Sequence, residues 1–478
     1  MKMRRIAAAG CRSLAAAAAL AASVALARAQ APGGPSMPDI HFMTLDPGHF
    51  HAALVQKEMY PGVARRVDVY APLGSDLVDH LGRVARFNTR PQNPTAWELE
   101  VHTGPDSLQR MLREHPGNAV VLSGRNRGKI ERIQASLDAG LHALVDKPWI
   151  LEAADLPKLE RVLGTADEKK LVALDIMTER FEVTSELQRA LVNDAAIFGR
   201  ALPGTEAEPS VYMESVHHLM KTVAGAPNIR PVWFFDTEEQ GEGLNDIGTH
   251  LVDLVQWTLF PDQALDHRKD ARVLRAQRWP TLIPRAEFKR VTREDFPASF
   301  APRIKADALE LFCNTLVTYA LRGVHVTLNV IWDWEAPAGG GDSHFAYYRG
   351  SRAKVEIRQG VAEKYRPELY VVPNAPADKA AVLAAAQKAI GGLQQQFPGT
   401  AVVDLGRELQ VTIPDGLRVS HEEHFAQVTQ RFLRYVRDRG TLPPWERPNM
   451  LAKYYVTTEG TALARRSPPQ AAERRAPR

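Results

Sequence analysis

The sequence predicts an α/β protein, with a doubly wound parallel sheet in the first part of the chain and an α+β domain after it. Three observations predict this. From residue 38 to residue 180, short apolar runs alternate with amphipathic stretches, the rhythm of parallel strands joined by crossover helices. Beyond Phe181, longer segments alternate apolar and polar residues and are rich in β-branched types, as strands with one covered face require. Finally, 478 residues exceed one ordinary core, while 45% hydrophobic and 24% charged residues exclude disorder, collagen and coiled coil.

The elements follow in order. Residues 1–29 carry five basic residues and no acidic one. Lys2, Arg4 and Arg5 precede an apolar run over 14–27, and Ala27-Arg28-Ala29 ends it. Charged end, short apolar stretch and small-residue site together predict a cleaved export signal, hence a periplasmic or secreted protein with no membrane anchor. Arg4-Arg5 also fit a twin-arginine route. The five charges outweigh the whole chain's excess of +4, so the remainder carries −1 and gives no electrostatic case for nucleic acid. Cys313 is then the one remaining cysteine, which excludes an intramolecular disulfide and reads as buried packing.

Residues 40–45 read as the first strand and 51–60 as a helix. Strands at 67–70, 99–103 and 119–122 come next, with a helix over 106–114 opened by Gly104-Pro105. A helix over 129–139 is stopped by Gly140, and strand 143–145, helix 154–168 and strand 171–176 complete the series. Ligands of such sheets sit outside the carboxyl ends of the strands. A dinucleotide fingerprint would place Gly-x-Gly-x-x-Gly after the first strand. Asp46-Pro47-Gly48-His49-Phe50-His51 stands there instead. Pro47 has no amide hydrogen to offer, and only Gly48 serves a close approach. Asp76, the nearest acidic residue after the second strand, reads as a helix cap.

Two later motifs carry more. Val145-Asp146-Lys147-Pro148 follows the fifth strand, and Gly241-Glu242-Gly243-Leu244-Asn245-Asp246-Ile247-Gly248-Thr249-His250-Leu251-Val252-Asp253 lies about a hundred residues on. In this order within a β/α chain, they resemble the glucose-fructose oxidoreductase / inositol dehydrogenase (Gfo/Idh/MocA) family. Ser123-Gly124-Arg125-Asn126 and Thr178-Glu179-Arg180-Phe181 also stand at that family's motif positions. Asp146 replaces the commoner Glu, and Glu242 interrupts the usual glycine triplet. The resemblance spans about residues 38–360.

The resemblance implies a Rossmann-type domain over 38–180 and a substrate domain over 181–465 with an open, mostly antiparallel sheet. It implies NAD or NADP, held tightly, a carbohydrate or cyclitol substrate, and association into homo-oligomers. Lys147, Asp246 and His250 match the family's catalytic positions. Asp46, Gly48, His49, Ser123, Asn126, Asp146, Lys147, Pro148 and Arg180 are the candidate nucleotide contacts.

Oxidising a secondary alcohol needs a base on the hydroxyl and a group to polarise it. If 246–254 is helical, Asp246, His250 and Asp253 share one face. Gly248 between them would let a ligand approach. His250, titrating near neutrality, is the expected base, with Lys147 polarising the substrate oxygen and Asp246 orienting substrate or tuning His250.

His217, Lys221, Asp253 and His344 are the candidate substrate contacts, the first two taken as one helix face at i, i+4. No metal is expected. His421 and His424 read as a surface helix start, although a metal hydrolase using them with His217 and His218 is a rival reading. Two other rivals are a glycosidase or lyase working by transient oxidation and a sugar-binding protein without nucleotide. Trp332, Trp334, Tyr347 and Tyr348 read as core aromatics. Residues 309–321, 324–334 and 353–359 read as strands, 373–399 as a helical insertion, 424–436 and 451–463 as closing helices, and 466–478 as a disordered tail.

Overall fold

The computed structural model describes residues 40–223, 226–227 and 229–468. The export segment and residues 469–478 of the expected tail lie outside the described residues; Arg466 ends a helix.

The first part is β1 (Phe42–Leu45), α1 (His51–Val55), β2 (Arg66–Ala71), α2 (Ser75–Thr89), β3 (Glu98–Thr103), α3 (Ser107–Glu114), β4 (Ala119–Leu122), α4 (Lys129–Asp138), β5 (His142–Val145), α5 (Leu156–Glu168) and β6 (Ala173–Asp175). The six strands pair in parallel in the order β3-β2-β1-β4-β5-β6, the doubly wound order. Every residue of β1 and β4 is buried, which explains their unbroken apolar runs: helices cover both faces. Helix α2 is absent from the sequence reading because only Leu77, His80 and Val84 are buried along it, too narrow a stripe to stand out.

The second part is α6 (Val183–Val192), β7 (Val211–Met220), β8 (Thr222–Val223), β9 (Ala226–Pro227), α7 (Thr237–Gln240), α8 (Gly243–Leu259), α9 (His267–Asp270), β10 (Ala271–Pro284), α10 (Arg285–Thr292), β11 (Ile304–Lys305), β12 (Ala308–Leu321), β13 (Val324–Glu335), β14 (Ser343–Arg349), β15 (Ala353–Gln359) and β16 (Glu368–Pro373). After it come α11 (Lys379–Gly392), β17 (Ala401–Asp404), β18 (Leu409–Thr412), α12 (His421–Arg437) and α13 (Glu446–Arg466). Its large sheet runs β10-β12-β13-β7-β14-β15-β16-β18-β17. Along this order β7 lies parallel to β13 and every other neighbour pair is antiparallel. Helix α8 is buried along nearly its whole length between this sheet and α13.

The two closing helices return to the first sheet. Phe425, Val428 and Phe432 of α12 join the core on one face, with Phe42 and Val69. Met450 and Tyr454 of α13 join the opposite core, with Met43 and Leu45. Helix α12 thus packs on the first sheet, while α13 lies between the two sheets, with Ala452, Val456 and Ala464 in the core of the second. Ser420 caps α12 reciprocally with Glu423.

His217 and Lys221 require a correction. Residues 211–220 form strand β7, not a helix, so their four-residue spacing is not a helical face. Alternation between buried and half-buried positions along most of β7 reflects sheet periodicity.

Candidate active site

Four strand ends of the parallel sheet converge on the first half of α8. The turn after β1 supplies Asp46 to His49, the turn after β4 Ser123 to Asn126, β5 Asp146 to Pro148, and β6 the segment 176–181. Two glycines permit the approach. A Cβ on Gly124 would stand 2.1 Å from the carbonyl oxygen of Asp46, and one on Gly243 would stand 2.0 Å from that of Cys313, so the turns after β1 and β4 meet backbone to backbone, as do the head of α8 and β12.

Lys147 and Asp246 are brought together. Both are nearly buried, the ammonium pairs with the Asp246 carboxylate, and Nζ also lies 3.3 Å from the Asp246 carbonyl oxygen. Burial pushes the Asp246 carboxyl up, but Lys147 beside it holds it below its ordinary value. His250 lies one turn further along α8. Burial and the charge of Lys147 lower its pKa to about 4, against the pull of Glu179. It does not titrate near neutrality, as its residue type suggests; it is a neutral imidazole whose Nδ1 is buried without a hydrogen-bond partner.

The sheet side contributes a second cluster. His217 Nδ1 and His218 Nδ1 each lie 3.1 Å from Asp342, on different carboxylate oxygens, and Lys221 pairs with the same carboxylate. Burial raises the Asp342 carboxyl, and the hydrogen bonds from His217 and His218 with the charge of Lys221 overcome it, leaving it well below the usual range. Arg230 donates to the carbonyls of Leu219 and His218 and stacks on Phe234 and Trp332. Burial lowers its pKa to about 10, while Asp246 and Asp342 oppose the shift. His344, half-buried, is lowered to about 4 by burial, with Glu179 opposing and His217 reinforcing. Glu179 accepts from His421 at 3.3 Å. Burial raises its carboxyl, and the hydrogen bond with His421 is the main influence that holds it low.

Several expected contacts face inward instead. Arg180 makes a two-point ion pair with Asp253 and meets Glu446 at 2.9 Å, all of them buried. Neither Arg180 nor Asp253 has side-chain surface for nucleotide or substrate. Asn126 is spent on Gln240 and Lys129, and Ser123 on Asp146. Asp146 receives His49 and His51 on one oxygen, so it faces its own chain, and Pro148 is buried. Gly248 is not open to a ligand: a Cβ there would lie 2.6 Å from Leu244 Cδ1. Asp76 makes no cap; it accepts from Trp233 Nε1 at 3.0 Å and pairs with Arg125 at 3.3 Å. His217 and His218 share Asp342, whereas His421 meets Glu179 and His424 is buried, so the four do not form one metal-binding group.

Asp342, Arg230 and Glu179 escaped the sequence reading as site residues. Asp342 had a signal, its place after Ala338-Gly339-Gly340-Gly341, and Glu179 lay inside a quoted motif. Arg230 had none.

The first turn is closed in this structure. The amides of Gly48 and His49 donate to Asp46 and Ser123 carbonyls. A Cβ on Gly48 would meet Asp76 Oδ2 at 3.0 Å and the Trp233 ring at 3.3 Å. The two amides that would ordinarily face a diphosphate are thus already bonded, and an indole covers the glycine.

Comparisons with known proteins agree with this architecture. The family described as "Putative oxidoreductase C terminal domain" matches residues 187–465. No curated protein matches the chain. A crystal structure described as "a putative oxidoreductase" from Parabacteroides merdae ATCC 43184 is 45% identical, covering 91% of this chain and 99% of its own, with a TM-score of 0.88. GenD2 from gentamicin A biosynthesis, in complex with NAD, is 15% identical over 92% of this chain and 97% of its own, with a TM-score of 0.52. Levoglucosan dehydrogenase, in complex with NADH and levoglucosan, is 13% identical over 88% and 97%, with a TM-score of 0.54. At those two identities the likeness is one of fold.

Proposed function

Since this chain belongs to the oxidoreductase family whose C-terminal domain it carries, within the Gfo/Idh/MocA group, we propose that it is an exported NAD(P)-dependent dehydrogenase acting on a hydroxyl of a carbohydrate-like polyol. The observation that carries the reading is the buried Lys147–Asp246 pair with His250 one turn away, at the carboxyl ends of the parallel strands. The nucleotide-bound proteins that share the fold, GenD2 with NAD and levoglucosan dehydrogenase with NADH, support the cofactor, and the residue pattern of 1–29 supports export.

The nucleotide fits the two ends of the crevice differently. At the Lys147 end, an ammonium and a neutral imidazole flank the strand ends, as a nicotinamide and a hydroxyl require. At the first turn, Arg125 at the mouth of the crevice is the cation that would face the diphosphate, with Trp233 standing over Gly48 in the closed arrangement. When bound, the nicotinamide supplies a hydride acceptor. Lys147 polarises the hydroxyl oxygen and lowers the cost of removing its proton, and the neutral His250 takes that proton. Asp246 fixes the Lys147 ammonium. His217 and Asp342 present hydrogen-bonding groups to the remaining hydroxyls of the substrate.

A second reading is net cleavage of a glycoside by transient oxidation and elimination. The imidazole–carboxylate pairs His217–Asp342 and Glu179–His421 favour it, because oxidation of one hydroxyl uses neither. The test is to denature freshly purified protein, identify any released small molecule by mass spectrometry, and assay polyols and glycosides. Stoichiometric NAD(H) or NADP(H) with polyol turnover upholds the first reading; free aglycone without net NADH upholds the second. A protein that neither carries nor binds nucleotide overturns both.

A further inference from the structure

The turn after β1 departs from a nucleotide fingerprint and carries two histidines: His49 directly after Gly48, and His51 at the place of the third glycine. Both aim Nδ1 at one oxygen of Asp146, at 2.9 and 3.0 Å. Two ligands about 2.1 Å from a metal ion and at right angles to each other stand about 3.0 Å apart. The three ligand atoms lie within 4.8 Å of one another.

The carboxylate is also incompletely satisfied. Asp146 is 3% exposed, and its Oδ1 is buried with no hydrogen-bond partner among the described residues. Its Oδ2 receives only the two imidazoles and the Ser123 hydroxyl. Among the described residues no lysine or arginine nitrogen forms a salt bridge with it; the nearby Lys129 ammonium bonds the Asp146 backbone oxygen and Asn126 instead. A buried anion without a cation in contact is costly. His49 reaches the surface, its side chain 18% exposed, which leaves an entry path.

We propose that His49, His51 and Asp146 bind one divalent transition-metal ion as a two-histidine, one-carboxylate site at the mouth of the first strand turn. On binding, the proton that each Nδ1 gives to Asp146 is exchanged for one on Nε2 of the same ring, which frees Nδ1 to ligate, and the carboxylate is neutralised by the ion. Oxygen ligands alone suit magnesium and calcium, so imidazole nitrogen selects zinc, iron(II) or nickel over them. The site does not depend on the nucleotide.

The test uses tag-free full-length protein stripped with a chelator and dialysed. It is titrated with Co(II), read by visible absorption, and with Zn(II), read by calorimetry. One equivalent should bind. His49→Ala, which removes the most exposed ligand, should weaken Co(II) binding by ~100-fold or more while circular dichroism and thermal midpoint stay close to wild type. Asp146→Asn should do the same if it folds; should it fail to fold, His49→Ala alone decides. His217→Ala should leave the Co(II) spectrum unchanged. No stoichiometric binding by the wild type, or the same binding in His49→Ala, overturns the site. Nucleotide released from the same preparation is scored separately, so either idea can fail alone.

Discussion

Arg180 and Asp253 form a two-point ion pair with both N–O distances at 2.6 Å, and both side chains are sealed from solvent. Lys453 of α13 reaches the same carboxylate at 3.0 Å and Asp175 of β6 at 2.6 Å, and Glu446 takes the remaining side of Arg180. The network therefore ties β6, α8 and α13 together, which is to say both domains and the returning C-terminal helix. Asp253→Asn removes the carboxylate that both buried cations share and breaks the two-point pair, leaving Arg180 on Glu446 and Lys453 on Asp175. Breaking such a pair costs about 3–5 kcal/mol, read as a lower denaturation midpoint. A loss below about 1 kcal/mol would show that the pair is not held in the dry interior.

A second expectation concerns acid. His80 on α2 is buried with neither ring nitrogen hydrogen-bonded, and burial lowers its pKa from 6.5 to about 4. Between those values the unfolded chain takes up a proton that the folded chain refuses, so stability is full above about pH 6.5 and declines as pH falls towards 4. At pH 5 this one residue costs on the order of 2 kcal/mol. His80→Leu should therefore stabilise the protein by that much more at pH 5.0 than at pH 7.5, by urea unfolding at both. An equal difference at the two values would mean His80 is protonated in the native state.

The alternating first half was legible because a sheet covered on both faces writes itself as unbroken apolar runs, as in Ala119-Val120-Val121-Leu122. Long strands of the second sheet, such as β12, were legible by their alternation. β7 was not, because Glu214-Ser215-Val216-His217-His218 hides sheet periodicity behind polar residues that belong to the crevice. Lys147 and Asp246 were found through motifs, yet nothing local shows that the two touch across ninety-nine positions. Arg180 and Asp253 illustrate the opposite failure. Charge within a motif suggested ligand contacts, whereas a partner 73 positions away makes them structural.

The closed first turn makes a third expectation. Trp233 covers Gly48 and donates to Asp76, while Arg125 stacks on its ring and pairs with Asp76. A diphosphate competing for Arg125 must displace this arrangement. Trp233→Ala removes the cover and should tighten NAD(H) binding by ~10-fold, about 1.4 kcal/mol, measured by calorimetry on nucleotide-free protein. Weaker binding in the variant would mean instead that the indole packs on the bound nucleotide.

The Lys147–Asp246 pair supports the last expectation, on turnover. Lys147→Met removes the ammonium that polarises the substrate oxygen, and acid–base or polarising groups of this kind contribute ~100-fold or more to rate. Asp246→Asn keeps shape and hydrogen bonding but loosens the hold on Lys147, so its effect on kcat should be smaller and should come with an altered pH profile. Both variants leave one buried charge unpaired, and each loses stability for that reason. Rates are therefore compared well below the denaturation midpoint, alongside the nucleotide content of each preparation. Lys147→Arg retains the charge but not the compact ammonium geometry, and it should recover stability more fully than turnover. If Lys147→Met turns over substrate at the wild-type rate with nucleotide bound, the pair is a structural tie between β5 and α8, and the reacting groups must be sought among His217, Asp342 and Glu179.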